Sequence, residues 1–368
     1  MAIESMFLVL SDLHFGRDLH LPPELPPLTV SRLARWVGRE KETERFFERS
    51  CRGHSFATVS MLPRYVKLLL HEAQFDGFGS DGFDLCILLG DQATVPDAQA
   101  YKFLRQYITS DHYKTTGDLH CAGLGISSAN ILAIPGNHDK LLRANLDLYH
   151  SEFTAPLGIP RIEPAGSLLM SRTIGRREFL FISVDASVYT AQELTIDVHA
   201  RDHLARGEVS SQLWSDLKTK LDGVKKGAQV DSAQLVGAYE NAVKVVLVHY
   251  AVDASRLSQH TKWEEKVLPH SCKGIEEMIT ELRLKYEINV ALHGHLHIPG
   301  LYNYKAVQVV AATTATEQKG PNGFFVLKVL DTGEIRAEHH CWTGTRFTAD
   351  PDNSLNKQLM VFPHGAAA

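Results

Sequence analysis

The chain has 368 residues, 44% of them hydrophobic and 22% charged, with 26 Gly and 15 Pro, which excludes disorder, collagen and coiled coil and describes a soluble globular protein long enough for a large core. Its formal net charge of −5 repels polyanions, so non-specific duplex binding is disfavoured and any nucleic-acid contact must come from a local patch. Five cysteines without a CxxC pair suit free thiols in a reducing compartment, and the apolar run at 6–10 is too short for a signal or membrane segment, so a cytoplasmic protein with no membrane partner is expected.

In chain order, hydrophobic periodicity predicts a strand at 6–10, a helix at 58–75, a strand at 85–89, a helix at 97–108, strands at 131–134 and 178–184, a helix at 210–221, a strand at 244–248, a helix at 274–284, and strands at 288–292, 306–311 and 323–330. The alternation over the first two-thirds reads as βαβ units around a buried sheet. From 306 on, turn signals (Pro321-Asn322-Gly323, Asp331-Thr332-Gly333) separate strands with no intervening helix, implying a second, antiparallel-rich sheet packed on the first. The link from 6–10 to 85–89 is far longer than a βαβ crossover needs, so it holds an insertion at about 20–56. The insertion opens with Leu21-Pro22-Pro23-Glu24-Leu25-Pro26-Pro27, a stiff extended stretch, and continues into 31–52, where Arg32, Arg35, Arg39, Lys41, Arg45, Arg49 and Arg52 face four Glu. Such a segment reads either as a solvated charged helix or as a cap that helps hold an anionic substrate. Residues 1–342 form one domain with this insertion, and 343–368 form a C-terminal tail.

Ligands of open α/β sheets collect beyond the carboxyl ends of strands, and five of the predicted strands end there in metal-capable groups. These are Asp12-Leu13-His14, Gly90-Asp91, Gly136-Asn137-His138-Asp139, His249, and His293-Gly294-His295-Leu296-His297. Residues two apart on an extended segment point the same way, so Asp12 with His14, and His295 with His297, are each expected to present two ligands to one place. A second aspartate–x–histidine, Asp118-Leu119-His120, follows a polar turn rather than an apolar strand, and His199 with His203 at i, i+4 spacing has no third ligand. The imidazoles, two carboxylates and an amide oxygen at the strand ends are too many for one four- to six-coordinate ion, whereas a carboxylate such as Asp91 can bridge two ions about 3.5–4 Å apart. Two divalent metal ions are therefore expected. Mixed nitrogen and oxygen donors without thiolate suit Mn2+, Fe or Zn2+ and argue against Ca2+.

The five blocks, in this order across residues 6 to 297, resemble the motif set of the calcineurin-like metallophosphoesterase superfamily. The resemblance implies a four-layer α/β/β/α sandwich of two mixed sheets. It implies one metal held by Asp12, His14, Asp91 and His297 and another by Asp91, Asn137, His249 and His295, with Asp91 the bridge. It places His138 at the scissile phosphate as the group that stabilises charge or protonates the leaving oxygen, with Asp139 orienting its ring. The implied reaction is in-line attack of a metal-bridging hydroxide on phosphorus, with no covalent enzyme intermediate.

The protein phosphatases of the superfamily usually carry an arginine soon after the second-motif aspartate and a glutamate closing the third motif. Here Gln92-Ala93-Thr94-Val95 follows Asp91, and Asp139 closes the third motif. The segment 207–214, with Gln212-Leu213 before Trp214, and Pro321-Asn322-Gly323-Phe324 look like features of the bacterial cyclic-nucleotide phosphodiesterase branch, although a capping serine and an Asn-Gly turn are also common structural devices. The expected activity is a phosphodiesterase acting on a cyclic or other small nucleotide. One alternative is a DNA or RNA nuclease, because the start Ser11-Asp12-Leu13-His14-Phe15-Gly16-Arg17 looks somewhat like that of the double-strand-break repair nucleases; the other is a catalytically silent scaffold. Arg17 and Asn137 are the candidate substrate-phosphate contacts. His293 and Asp185 read either as supports behind the ligands or as ordinary structural hydrogen-bonding groups.

Overall fold

A computed structural model of the protein describes residues 2–16, 56–94, 96–114, 120–140, 147–187, 207–253, 272–316, 322–350 and 359–360. Its principal strands are β1 (Ile3–Leu10), β2 (Leu85–Leu89), β3 (Ile131–Ile134), β4 (Ser167–Ile174), β5 (Arg177–Val184), β6 (Val243–Val248), β7 (Val290–His293), β8 (Gly300–Tyr304), β9 (Val307–Ala311), β10 (Gly323–Leu330), β11 (Ile335–Trp342) and β12 (Phe347–Ala349). Among the described residues, four α-helices accompany them: α1 (Phe56–Phe75), α2 (Ala98–Thr109), α3 (Ser211–Lys225) and α4 (Ile275–Tyr286). Asp97 caps α2 by accepting from the amides of Gln99 and Ala100, and Ser210 caps α3 by accepting from Leu213 N at 3.1 Å.

The first sheet has the order β12-β11-β10-β1-β2-β3, with Leu359–Met360 also paired to β11; the second has the order β8-β9-β7-β6-β5-β4. Side-chain alternation sorts the residues into layers. Along β1, Met6, Leu8 and Leu10 face the outer core with α1 and α2, whereas Phe7 and Val9 face the second sheet. Along β5, Phe179 and Phe181 point into that inter-sheet core, whereas Leu180, Ile182 and Val184 pack beneath α3 and α4. Three apolar cores thus separate four layers, α/β/β/α, as the resemblance implied. β1, β2 and β3 run parallel, as do β5, β6, β7 and β9, so the carboxyl ends of each set gather on one side.

The expected antiparallel sheet at the end of the chain does not form as a unit. β9 joins the second sheet parallel to β7, whereas β10 joins the first sheet antiparallel to β1. The buried segment 312–316 crosses between the sheets, and a turn signal marks a reversal without specifying which sheet receives the next strand. Within the expected tail, β12 extends the first sheet by pairing with β11. The segment at 288–292 is realised as Val290–His293, because Asn289 is drawn into the connection, donating its amide to the Lys244 carbonyl. Hydrophobic periodicity does not predict strands β4, β8, β11 and β12. The insertion at about 20–56 lies almost wholly outside the described residues.

His340, on β11, is buried against Phe324 with ring centroids 5.2 Å apart, and its Nδ1 lies 3.1 Å from the Tyr65 hydroxyl. Burial, with Lys328 and His339 nearby, pushes its pKa down from 6.5 to about 3. Between these values the unfolded chain binds a proton that the folded chain excludes, so this contribution to stability is complete above pH 6.5 and is lost as the pH falls toward 3, at about 1.4 kcal/mol per pH unit. In urea titrations at pH 7 and pH 5, His340→Phe is expected to lose less stability on acidification than the parent; equal losses would assign the acid sensitivity elsewhere.

Candidate metal centre

The five motif segments leave β1, β2, β3, β6 and β7 at their carboxyl ends and meet in one cleft between the sheets. Backbone pairing of the first two continues past the strands, with Asp12 N donating to Gly90 O at 3.1 Å and His14 N to Asp91 O at 2.9 Å. The convergence is not the extended, two-apart presentation expected from sequence. Asp12, His14, Asp91, His295 and His297 have φ of +50°, +46°, +52°, +73° and +54°, so the first, second and last ligand-bearing segments are kinked through left-handed backbone that costs a residue with a Cβ energy. Close approach explains two of the motif glycines. A Cβ at Gly136 would overlap the carboxylate and amide of Asp91, and one at Gly294 would overlap Ser11 Oγ and Asp12 Oδ2.

Among the described residues three sets of donor atoms form, each with its members within 4.8 Å of one another: Asp12, His14 and His297; His14, Asp91 and His138; and Asp91, His249 and His295. His297 Nε2 stands 3.1 Å from Asp12 Oδ1, and His14 Nε2 lies between the carboxylates, 3.9 Å from Asp12 Oδ1 and 3.7 Å from Asp91 Oδ2. Asp12, Asp91 and His249 are buried, whereas His138, His295 and His297 are partly exposed and line the opening.

His249 donates Nδ1–H to the Leu89 carbonyl at 2.8 Å, which turns the Nε2 lone pair toward Asn137 Oδ1 at 3.0 Å, His295 Nδ1 at 3.2 Å and Asp91 Oδ2 at 3.4 Å. Lone pairs so crowded repel unless a cation, proton or metal, lies among them. Burial opposes a proton on His249, but Asp91 outweighs it and raises the pKa to about 9. Burial likewise pushes both carboxyls up, yet His297 holds Asp12, and His249 and His138 hold Asp91, below the usual carboxylate range. A buried nitrogen and oxygen donor set of this kind fits a divalent transition metal, and Asp91 belongs to two of the three sets.

The His138 amide donates to Asp91 Oδ1 at 2.8 Å, and its ring donates Nδ1–H to the Thr94 carbonyl at 2.9 Å, leaving Nε2 for the cleft. Asp139 was expected to orient that ring. Its carboxylate instead accepts from the amides of Gly136, Gln92 and Ala93 at 3.0, 3.2 and 3.1 Å and from the Tyr101 hydroxyl at 3.0 Å, so it braces the loop that carries Asn137 and His138. Burial, then Asp91, raises its pKa to about 6. His293 is buried with Nε2 3.0 Å from the Tyr302 hydroxyl, and Asp185 forms a buried ion pair with Lys140 while accepting from the amides of Ala165 and Ser187. Arg17, Asp118, His199 and His203 lie outside the described residues. Thr94 and Ser11, whose hydroxyl donates to Asp12 Oδ2, escaped sequence reasoning.

Asp91→Ala is expected to bind Mn2+ far more weakly than the parent at both positions, read by calorimetric titration, with the circular dichroism unchanged. A variant that still takes a full complement would show that the shared carboxylate does not join the clusters. Gly294→Ala is expected to weaken binding by displacing Asp12.

The model of the calcineurin-like phosphoesterases matches residues 5–299. No curated protein matches the chain. Among solved structures it is similar to GAP50, the anchor in the inner membrane complex of Plasmodium, at 12% identity with 94% of this chain and 88% of that one covered and a TM-score of 0.47. It is also similar to the phosphopantetheinyl hydrolase PptH of Mycobacterium tuberculosis (14% identity, 86% and 92% covered, TM-score 0.42) and to a putative 5'-nucleotidase of Staphylococcus aureus (13%, 94% and 54%, 0.41). With a match over most of its length and the family's motif blocks gathered in one cleft, the chain belongs to the calcineurin-like phosphoesterases, metal-dependent hydrolases of phosphoester bonds.

Proposed function

We propose that the protein is a phosphodiesterase acting on a cyclic or other small nucleotide. The observation that carries the reading is the chain of three overlapping donor sets, Asp12–His14–His297, His14–Asp91–His138 and Asp91–His249–His295, linked through His14 and Asp91. Asp12, His14, Asp91 and His297 would hold one divalent ion, and Asp91, Asn137, His249 and His295 the other, with Mn2+, Fe or Zn2+ matching the donors. When bound, such a pair supplies positive charge to phosphoryl oxygens and lowers the pKa of water.

The chain's own residues do the rest. The Thr94 carbonyl holds a proton on Nδ1 of His138, so Nε2 is the nitrogen that, with the ring as imidazolium, would give its proton to a departing alkoxide. Asp91 Oδ1, accepting the His138 amide, ties that ring's backbone to the shared carboxylate. Asp139 keeps the Gly136–Lys140 turn closed. Arg17 is proposed as a further phosphate contact.

The position after Asp91 supports a diester over a protein-phosphatase substrate: Gln92 spends its side-chain amide on the Ile134 carbonyl at 3.1 Å, and no arginine follows it in the motif. A diester has one negative charge fewer to neutralise than a monoester dianion. The features shared with the cyclic-nucleotide branch point the same way, but their local roles are structural: Ser210 caps α3, and Asn322 accepts the Trp342 amide through its carbonyl. A cytoplasmic setting suits Cys86, Cys121, Cys272 and Cys341, all of them free thiols. Among the described residues, no helix is long and apolar enough to cross a membrane.

With Mn2+ present, bis(p-nitrophenyl) phosphate is expected to be cleaved faster than p-nitrophenyl phosphate, and His138→Ala to lose about 100- to 10,000-fold in kcat while binding the same Mn2+. Preference for the monoester would overturn the diesterase reading, cleavage of an oligonucleotide in preference to cyclic nucleotides would favour a nuclease, and no turnover of any of them would favour a scaffold.

A further inference from the structure

Left-handed backbone at a residue with a Cβ persists only where its surroundings over-determine it, and here the constraint is visible. Four threonine hydroxyls each donate to a carbonyl of the kinked ligand segments, all at 2.8 Å: Thr314 Oγ1 to Asp12 O, Thr316 Oγ1 to Leu13 O, Thr94 Oγ1 to His14 O and Thr313 Oγ1 to His297 O. Three successive carbonyls of the first motif are thereby fixed from outside the segment. All four threonines are buried, three of them in the segment 312–316 that crosses from β9 in the second sheet to β10 in the first. The crossing segment is itself anchored. Thr316 N donates to Thr314 Oγ1 at 3.3 Å, Thr58 on α1 donates its hydroxyl to Thr316 O at 2.8 Å, and Gly323 N donates to Thr314 O at 2.9 Å.

We propose that Thr313, Thr314 and Thr316 form a clasp that sets the positions of Asp12, His14 and His297, so that they are positioning residues for one half of the metal centre. The proposal rests on the metal-centre reading above. Asp12 and His14 come from the first sheet and His297 from the second, and the crossing segment bonds to the backbone of both. In the folded chain, removal of a hydroxyl leaves a buried carbonyl without its donor, and the kink it restrained is free to relax toward ordinary backbone. The carboxylate of Asp12 and the ring of His14 then move apart.

The test is Mn2+ titration of the full chain by calorimetry and electron paramagnetic resonance, comparing the parent, Thr314→Val, Thr316→Val and Thr314→Ser. Valine keeps the branched shape without the hydroxyl, and serine keeps the hydroxyl. The parent is expected to bind two Mn2+, and each valine variant to lose about 10- to 100-fold in affinity at one position only, the usual effect of losing an outer-sphere partner. Thr314→Ser is expected to restore both positions. Valine variants that bind both ions as the parent does would overturn the clasp while leaving the metal centre standing, as would a serine variant as impaired as the valine. A parent that binds no Mn2+ would overturn the metal centre itself and the clasp with it. If Thr314→Val fails to fold, Thr316→Val against Thr316→Ser gives the same contrast at the hydroxyl that holds Leu13 O.

Discussion

Everything at this protein's cleft follows from one electrostatic constraint: several lone pairs are packed where water has little access, and only a cation can make that arrangement stable. His249 shows the constraint most sharply. Its Nδ1–H is committed to the Leu89 carbonyl, and its Nε2 confronts an amide oxygen, a carboxylate and a second imidazole. A proton relieves part of this crowding, as the raised pKa of His249 reflects, and a divalent ion relieves more of it by taking several donors at once.

The fold exists to bring those donors together. Neither sheet carries the whole set: Asp12, Asp91 and Asn137 follow strands of the first, and His249, His295 and His297 follow strands of the second. The apolar core between the sheets, with Phe7, Ile87, Phe179 and Leu247 among its members, sets their spacing, and polar struts fix the register at the cleft. The buried Lys140–Asp185 ion pair joins the loop after β3 to the end of β5, and the Thr313–Thr316 stretch joins the end of β9 to the first motif. Ligand geometry is therefore a property of two packed sheets, not of any one motif.

Much of this was legible in the sequence, for a physical reason. Parallel strands buried on both faces read as apolar runs, and polar groups immediately after them stand out. That is why Asp12, His14, Asp91, Asn137, His138, His249, His295 and His297 could be named before their proximity was known. How they meet was not legible. Period-2 reasoning assumed extended backbone at Asp12–His14 and at His295–His297, whereas the chain kinks into left-handed conformations there, and no residue type signals that except the neighbouring glycines. The group that orients His138 is a backbone carbonyl, that of Thr94, which every residue type possesses and no sequence advertises. Asp139 was legible as important, but its work is on amides of its own loop and of the loop after β2. The destination of β9 and β10 depended on the buried crossing at 312–316, whose threonines look unremarkable until the carbonyls they bind are known.

The central claim, that these donors form one centre for two cations joined by Asp91, is tested most directly by anomalous diffraction from crystals of the protein grown with Mn2+. The account predicts two anomalous peaks in the cleft, one among Asp12, His14 and His297, the other among Asn137, His249 and His295, with the Asp91 carboxylate touching both. An empty cleft, or a single ion bound without Asp91, would contradict it.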